Sequence, residues 1–297
     1  MNKLRFNNWF TAAMLLMVSL MVTSCMKFEG EDDGEKMIEN ETAIINYLAE
    51  NNMNGIKDTT GLYYLITDPR PTGKMPAVGD EVQMIFKMSL LNGTVVDSSS
   101  STSPAKIPYG LNFYMPGMAR AIGMMRVGEQ GSFFLPFYLA YGRTGTTKVP
   151  AYSPVRLDIR LVSSRSEETQ IVEYLNDNAL EVSESGENGL RIIRLNEVEG
   201  DPVGVNKSVK VKYKLWALSD KSKTIDSGDL QFYTNSSTMI SGFDKGVQKL
   251  KVGEKAILIF PSQIGYGKEG RFNYDKNDYS VLPYASLAFE VEVLQIN

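Results

Sequence analysis

"MPGMARAIGMMRVGEQGSFFLPFYLAYG", residues 115–142, lies without a gap on "ISGFDKGVQKLKVGEKAILIFPSQIGYG", residues 240–267, so that Tyr141 meets Tyr266. The match continues upstream. "IINYLAENN" from Ile44 pairs with "IVEYLNDNA" from Ile171 at an offset of 127, and "GLYYLI" from Gly61 pairs with "GLRIIR" from Gly189. Self-similarity on this scale makes the chain a tandem duplication and decides the architecture before any single motif does.

Each copy predicts the same elements in the same order. A short helix opens it, because Ile44, Tyr47 and Leu48 in copy 1 and Ile171, Tyr174 and Leu175 in copy 2 sit at i, i+3, i+4 on one face. Ser164 with Glu167 predicts a capping box for the second of these helices. Alternating runs such as "SVKVKYKLWAL" and "EKAILIF", rich in Val, Tyr, Ile and Phe, read as strands. A second short helix follows mid-copy. Its apolar stripe is Phe243, Val247 and Leu250, matched by Met118, Ile122 and Met125, which suits a helix lying on a sheet. Both copies end on a strand, "VRLDIRLV" and "SLAFEVEVL". The fold class is therefore α+β. Domain 1 spans 36–164 and domain 2 spans 165–297, joined near the polar "SSRSEE".

Composition is that of a globular protein, with 43% hydrophobic and 22% charged residues. The absence of histidine says more. It excludes Ser/His/Asp and Cys/His machinery, histidine acid/base catalysis and His-ligated zinc. No cofactor or metal site is expected; Asp275, Asn277 and Asp278 have no spacing that fits a calcium loop.

Cys25 is the sole cysteine, so it staples nothing within the chain. Upstream, Lys3 and Arg5 form a basic head and "WFTAAMLLMVSLMVT", residues 9–23, an uncharged apolar run. That is a secretory signal over 1–24, too short for the roughly 20 residues of a membrane span. "VTSC" resembles the bacterial lipobox, whose cysteine receives a diacylglycerol; the alternative is an ordinary cleaved signal followed by an idle thiol. Losing Lys3 and Arg5 takes the net charge from −4 to −6, which disfavours nucleic acid as a partner. The acidic stretch over 25–35 reads as a solvated tether or as a surface-export signal. Expected localisation is the cell envelope, at the periplasmic face of the outer membrane or at the cell surface, with the membrane engaged through the lipid.

In copy 2, "VKVKYKL", "TIDSG", "MISGFDKGVQKLKVGE", "IGYG" and "LPYASLAFEVEVL" occur in that order. In copy 1, so do "VGDEVQMIFKM", "LNGTVVDSSS", "MRVGEQGSFFLPFYLAYG" and "YSPVRLDIRLV". In these pieces the chain resembles the FKBP-type peptidyl-prolyl cis-trans isomerases over roughly 61–164 and 189–297. The resemblance implies two tandem domains, each a curved antiparallel sheet wrapped on a short helix. It also implies binding of proline-containing polypeptides and of the family's macrolide inhibitors.

Carried over residue by residue, the resemblance makes Phe243 the floor under the proline ring and Tyr213, Phe232 and Phe289 the walls. Tyr266 would donate its hydroxyl, and Ile240 its backbone N–H, to substrate carbonyls, while Asp226, held by the Tyr213 hydroxyl, would sit beside the twisting amide. Ile225, Met239 and Val281 complete that lining. Phe232 taken alone reads as core, as aromatics in strands usually do, whereas burying Asp226 without a task would be costly. Copy 1 keeps Asp97 and Tyr141 but has Phe86 for the pocket tyrosine, Val96 and Leu157 where the family has phenylalanine, and Met118 as floor, with Met115 and Val149 beside them. Asp97 thereby lacks a hydroxyl partner, and the methionine floor suggests a looser peptide cleft. The loop after the tyrosine is longer in copy 2 and places Arg271, Phe272 and Tyr274 near the flanks of a bound proline; it reads as solvated loop. Three functions stay open: an isomerase working mainly through domain 2, a non-catalytic peptide-binding chaperone or outer-membrane assembly subunit, and a structural spacer.

Lipid attachment at Cys25 is tested by metabolic labelling with a palmitate analogue: label is expected on the wild type and absent from Cys25→Ala. Label that persists in the variant overturns the lipobox reading.

Overall fold

The computed structural model describes residues 29–110 and 115–297. Cys25, the signal segment and the start of the acidic stretch lie outside the described residues. Copy 1 comprises α1 (Glu29–Glu50), β1 (Ile56–Lys57), β2 (Tyr63–Asp68), β3 (Glu81–Leu90), β4 (Val95–Ser98), β5 (Ala105–Pro108), α2 (Pro116–Gly123), β6 (Gln130–Leu135) and β7 (Val155–Arg165). Copy 2 comprises α3 (Glu167–Asp177), β8 (Glu184–Ser185), β9 (Arg191–Arg194), β10 (Ser208–Ala217), β11 (Asp226–Tyr233), α4 (Ser241–Gln248), β12 (Lys255–Phe260), β13 (Arg271–Asn273), β14 (Asp278–Val281) and β15 (Leu287–Ile296).

Both sheets are antiparallel and share one strand order. Copy 1 runs β1-β2-β6-β7-β3-β4, with β5 also on β3, and copy 2 runs β8-β9-β12-β15-β10-β11. The duplication extends to irregularities. The β3–β7 register shifts between Gln83 and Met84, and the β10–β15 register shifts at the equivalent step between Lys210 and Val211.

Each sheet is covered on both faces. On one face α4 inserts Phe243 and Val247 into a core with Val211, Leu215, Leu258, Phe289 and Val291, and α2 does the same with Met118 and Ile122. On the opposite face α3 buries Ile171 against Ile193, Trp216, Ile259 and Ala288, and α1 buries Ile44 and Leu48 against Tyr63 and Phe134. No buried apolar cluster among the described residues mixes the two copies.

Three expectations are corrected. Helix α1 begins at Glu29, so residues 29–35, expected as tether, form its first turns. No proline interrupts the segment, and Asn40, buried mid-helix, ties it down by accepting from Phe137 N (3.0 Å) and donating to Tyr152 O (2.8 Å). The second helix is capped by Ser166 rather than Ser164: Ser166 Oγ accepts from Thr169 N at 3.2 Å. Pairing of β7 with β3 carries the strand on to Arg165, so Ser164 is held in the ladder and its hydroxyl donates to Asp80 at 2.6 Å. Glu167 is also no capping residue, because its carboxylate accepts from Ser262 Oγ (2.7 Å) and Ser286 Oγ (3.1 Å). The third correction concerns the long loop after Tyr266, which contains the β13–β14 hairpin. Phe272 packs edge-on against Tyr274 and Tyr279 there, at 5.1 and 5.0 Å between centroids.

The polar "SSRSEE" junction is not slack, since Ser166 alone separates β7 from α3. Arg165 spans it, pairing with Glu81 of β3 and, at 2.6 Å, with Glu173 of α3.

Two measurements follow from this architecture. Because each copy owns its cores, residues 165–297 expressed alone should unfold in a single cooperative transition; a fragment that stays molten until copy 1 is added means a shared core. The second concerns acid. Burial opposes ionisation of Asp58 and Asp80, but hydrogen bonds outweigh it and hold both carboxyls below the usual value of 3.8: those from Thr60, Arg120 and Leu62 on Asp58, and those from Lys74, Ser164 and Ala77 on Asp80. Groups with a depressed folded pKa stabilise above their unfolded pKa and lose that contribution as pH falls below it. With no histidine to titrate, stability should be flat from about pH 5 to 8 and fall below about pH 4. Asp80→Asn should shrink the acid-dependent part in a pH series of denaturant melts.

Candidate functional site

Helix α4 approaches β12 so closely that side chains are excluded at two of its positions. A Cβ on Gly242 would stand 2.5 Å from the Phe260 ring and one on Gly246 2.5 Å from Leu258. Between them Phe243 is driven into a nest of rings: Phe289 at 4.8 Å, Phe232 at 5.6 Å and Tyr213 at 6.1 Å between centroids. Phe289 in turn stacks on Phe260 at 5.8 Å. Offset and tilted ring pairs of this kind add to burial and fix ring orientation.

Above Phe243 lies a cavity of 300 Å³ lined by Tyr213, Leu215, Asp226, Leu230, Thr238, Met239, Ile240, Phe243, Tyr266, Arg271 and Phe289. Its walls are apolar and its polar groups few. The Tyr266 hydroxyl makes no hydrogen bond among the described residues, and neither does the Ile240 N–H, which precedes the first turn of α4. Tyr213 is different. Burial pushes its phenol up, and the Asp226 carboxylate, by charge and hydrogen bond, pushes it further, with a smaller contribution from Tyr266 and an opposing one from Arg271.

Seven of the residues singled out in copy 2 therefore converge: Tyr213, Asp226, Met239, Ile240, Phe243, Tyr266 and Phe289. Three do not line the cavity. Phe232 and Val281 are buried in the core behind it, and Ile225 lines a neighbouring groove. Asp226 also departs from expectation. Its side chain is 42% exposed, so the argument from costly burial does not apply; it stands at the cavity mouth with Arg271 Nη1 at 3.6 Å from its Oδ2. Sequence reasoning missed Leu215, Leu230 and Thr238. Strand periodicity signals the first two, since Leu215 is two residues from Tyr213 on β10 and Leu230 four from Asp226 on β11, each pair on one face.

Copy 1 places its residues differently. Tyr141 is not free: its hydroxyl donates to Met88 Sδ at 3.2 Å. Burial, then the charge of Asp97, raises the Tyr141 pKa, while Asp97 itself is exposed and accepts from Ser98 N. Phe86 and Met115 are half-buried against the core, and Met118, Val149 and Leu157 are buried in it. The strand register locates the counterpart of Phe232. Val82 pairs with Ile107 as Val209 pairs with Phe232, so Ile107 holds that position, while Val96, next to Asp97, corresponds to Ile225, next to Asp226. Asp97 to Ile107 spans 10 positions where Asp226 to Phe232 spans 6; the Ser-rich insertion splits one strand into β4 and β5. No aromatic ring therefore stands at the positions of Phe232, Phe243 or Phe289.

The family model for the FKBP-type peptidyl-prolyl cis-trans isomerases matches residues 73–162 and 201–294. The chain belongs to that family. It is 24% identical over 271 residues to human peptidyl-prolyl cis-trans isomerase FKBP9, covering 90% of this chain and 43% of the relative. Mouse FKBP10 is 25% identical over 275 residues, with 89% and 42% covered. FkpA of Aeromonas hydrophila is 36% identical over 129 residues, covering 42% of this chain and 47% of FkpA. This chain thus spans less than half the length of these relatives. A crystal structure of the three FKBP domains of wheat FKBP73 aligns with 80% of this chain and 96% of its own at 21% identity and a TM-score of 0.39.

Proposed function

We propose that this protein catalyses cis-trans isomerisation of prolyl peptide bonds in polypeptides of the cell envelope, mainly through copy 2, and that Cys25 anchors it by lipid to the outer membrane. The observation that carries the catalytic part is the ring-floored cavity in which Tyr266 Oη and Ile240 N–H point no hydrogen bond at the protein.

Rotation about a prolyl bond breaks nothing. Its barrier of roughly 18–20 kcal/mol comes from amide resonance, which places negative charge on the carbonyl oxygen and positive charge on nitrogen. Water stabilises that polar planar form better than the twisted one, so transfer to an apolar cavity favours rotation. A pyrrolidine seated on Phe243 between Tyr213 and Phe289 is desolvated, and the free Tyr266 and Ile240 donors hold the flanking carbonyls while the bond turns. Each ~1.4 kcal/mol gained only in the twisted state is tenfold in rate, so a thousandfold acceleration needs about 4 kcal/mol. No proton is transferred, and a chain without histidine loses nothing by it.

Copy 1 supports a second role. Met88 occupies the Tyr141 hydroxyl, and Met118 and Leu157 stand where copy 2 has the rings of Phe243 and Phe289, with Met88 and Met115 packed against the same core. Thioether side chains adapt to what they meet and so bind planar and twisted states alike, which holds a peptide without speeding its rotation. Copy 1 is thus proposed as a holding cleft for extended polypeptide beside the faster site.

In a prolyl-peptide isomerisation assay on the full chain, the double variant Tyr266→Phe with Asp226→Ala should lose most activity, a tenfold fall or more. Tyr141→Phe with Asp97→Ala should lose less than twofold. Equal losses contradict the assignment to copy 2, and inactivity of the wild type leaves only the holding function.

A further inference from the structure

The cavity over Phe243 is not closed at its mouth. Asp226 and Arg271 line it and equally line a second, more polar groove of 520 Å³ that continues past them, bordered by Ile225, Phe272, Tyr274, Asp275, Lys276 and Ser280 among others. The groove owes its existence to the β13–β14 hairpin. Gly145 and Gly270 make the same left-handed turn (φ 62 and 64) against the carbonyls of Val149 and Val281, but copy 1 passes from one to the other in 4 positions and copy 2 in 11. The seven additional residues begin with Arg271.

The chemistry at this junction is unbalanced. The Arg271 guanidinium makes no hydrogen bond among the described residues, and its ionic contact with Asp226 at 3.6 Å is beyond hydrogen-bond reach. Two arginines elsewhere in the molecule each serve two carboxylates. Arg165 bridges two carboxylates, Glu81 and Glu173, and Arg194 bridges Glu184 at 2.8 Å and Glu254 at 2.6 Å. A planar fork of five donors suits two acceptors at once. Arg271 has one carboxylate and room for another. Asp226 already faces the Arg271 guanidinium and so offers less to a substrate cation.

We propose that Arg271 supplies a specificity site for the carboxylate of a substrate Asp or Glu flanking the proline, bridging it to Asp226 as Arg165 and Arg194 bridge their pairs. The inference rests on the isomerase reading of copy 2 for its substrate, and the test separates the two. Peptides carrying Glu, Gln or Lys immediately before or after the proline are compared on the full chain, both for isomerisation and for binding by fluorescence anisotropy. Glu should be favoured over Gln by about two- to fivefold at low salt on at least one flank, the range of a solvent-accessible ion pair, and the preference should shrink as salt is raised. Arg271→Gln should remove the preference and Arg271→Glu should turn it towards Lys. The ratio between peptides is internal to each variant, so a general loss of activity does not mimic the effect. A Glu-to-Gln ratio unchanged in Arg271→Gln overturns the inference even if isomerisation is robust. Discrimination in binding without isomerisation upholds it and overturns the enzymatic reading, and failure to bind any peptide overturns both.

Discussion

The contact on which copy 2 depends is the close seating of α4 on β12. Because Gly242 and Gly246 carry no side chain, the helix backbone descends onto Phe260 and Leu258, and Phe243 has no place to go except among Tyr213, Phe232 and Phe289. A ring clamped on three sides is a rigid surface. The same descent leaves the Ile240 N–H, just before the first turn, facing the space above that ring. Floor and donor thus come from one packing event, and neither could be shifted without lifting the helix.

Copy 1 repeats the scaffold with a different filling. Gly117 keeps the close approach, its missing Cβ lying against Leu135, and the β-bulge recurs at the same step. What changes is the side-chain set between helix and sheet. Leu157 and Ile107 replace two rings, Met118 replaces the third, and Met88 reaches the tyrosine hydroxyl that copy 2 leaves open. Duplication preserved the backbone while the cleft diverged, as expected when a hydrophobic core tolerates any set of side chains of adequate volume.

Most of this was legible in the sequence because it rests on periodicity. The i, i+4 stripe of Phe243 and Val247 and the alternation of "EKAILIF" report burial directly, and the gapless match of 115–142 to 240–267 transferred each reading to the other copy. The illegible parts share a cause, namely pairing that is settled at a distance. Ser164 reads as a cap locally, but β3 claims it for the sheet. Ile107, the counterpart of Phe232, went unnoticed because the Ser-rich insertion lengthens the path from Asp97 to it. Asp226 looked buried between apolar neighbours, yet β11 is the outermost strand and its first residue faces solvent. The β13–β14 hairpin escaped because "RFNYDKNDYS" lacks the alternation of a half-buried strand; its rings pack on one another instead of on a core.

The position of β11 has a further consequence. Three of the four terminal strands are short, β1 and β8 of two residues and β4 of four, whereas β11, paired to β10 on its inner side, offers an outer edge eight residues long at the rim of copy 2. A long bare rim is a template on which another extended chain can add itself. Here the rim carries Asp226 and Asp229 with Gly228 between them, two like charges and a residue of poor strand propensity at the end nearest the cavity. Strand addition is thereby disfavoured at that end of the rim, where Asp226 also borders the opening over Phe243.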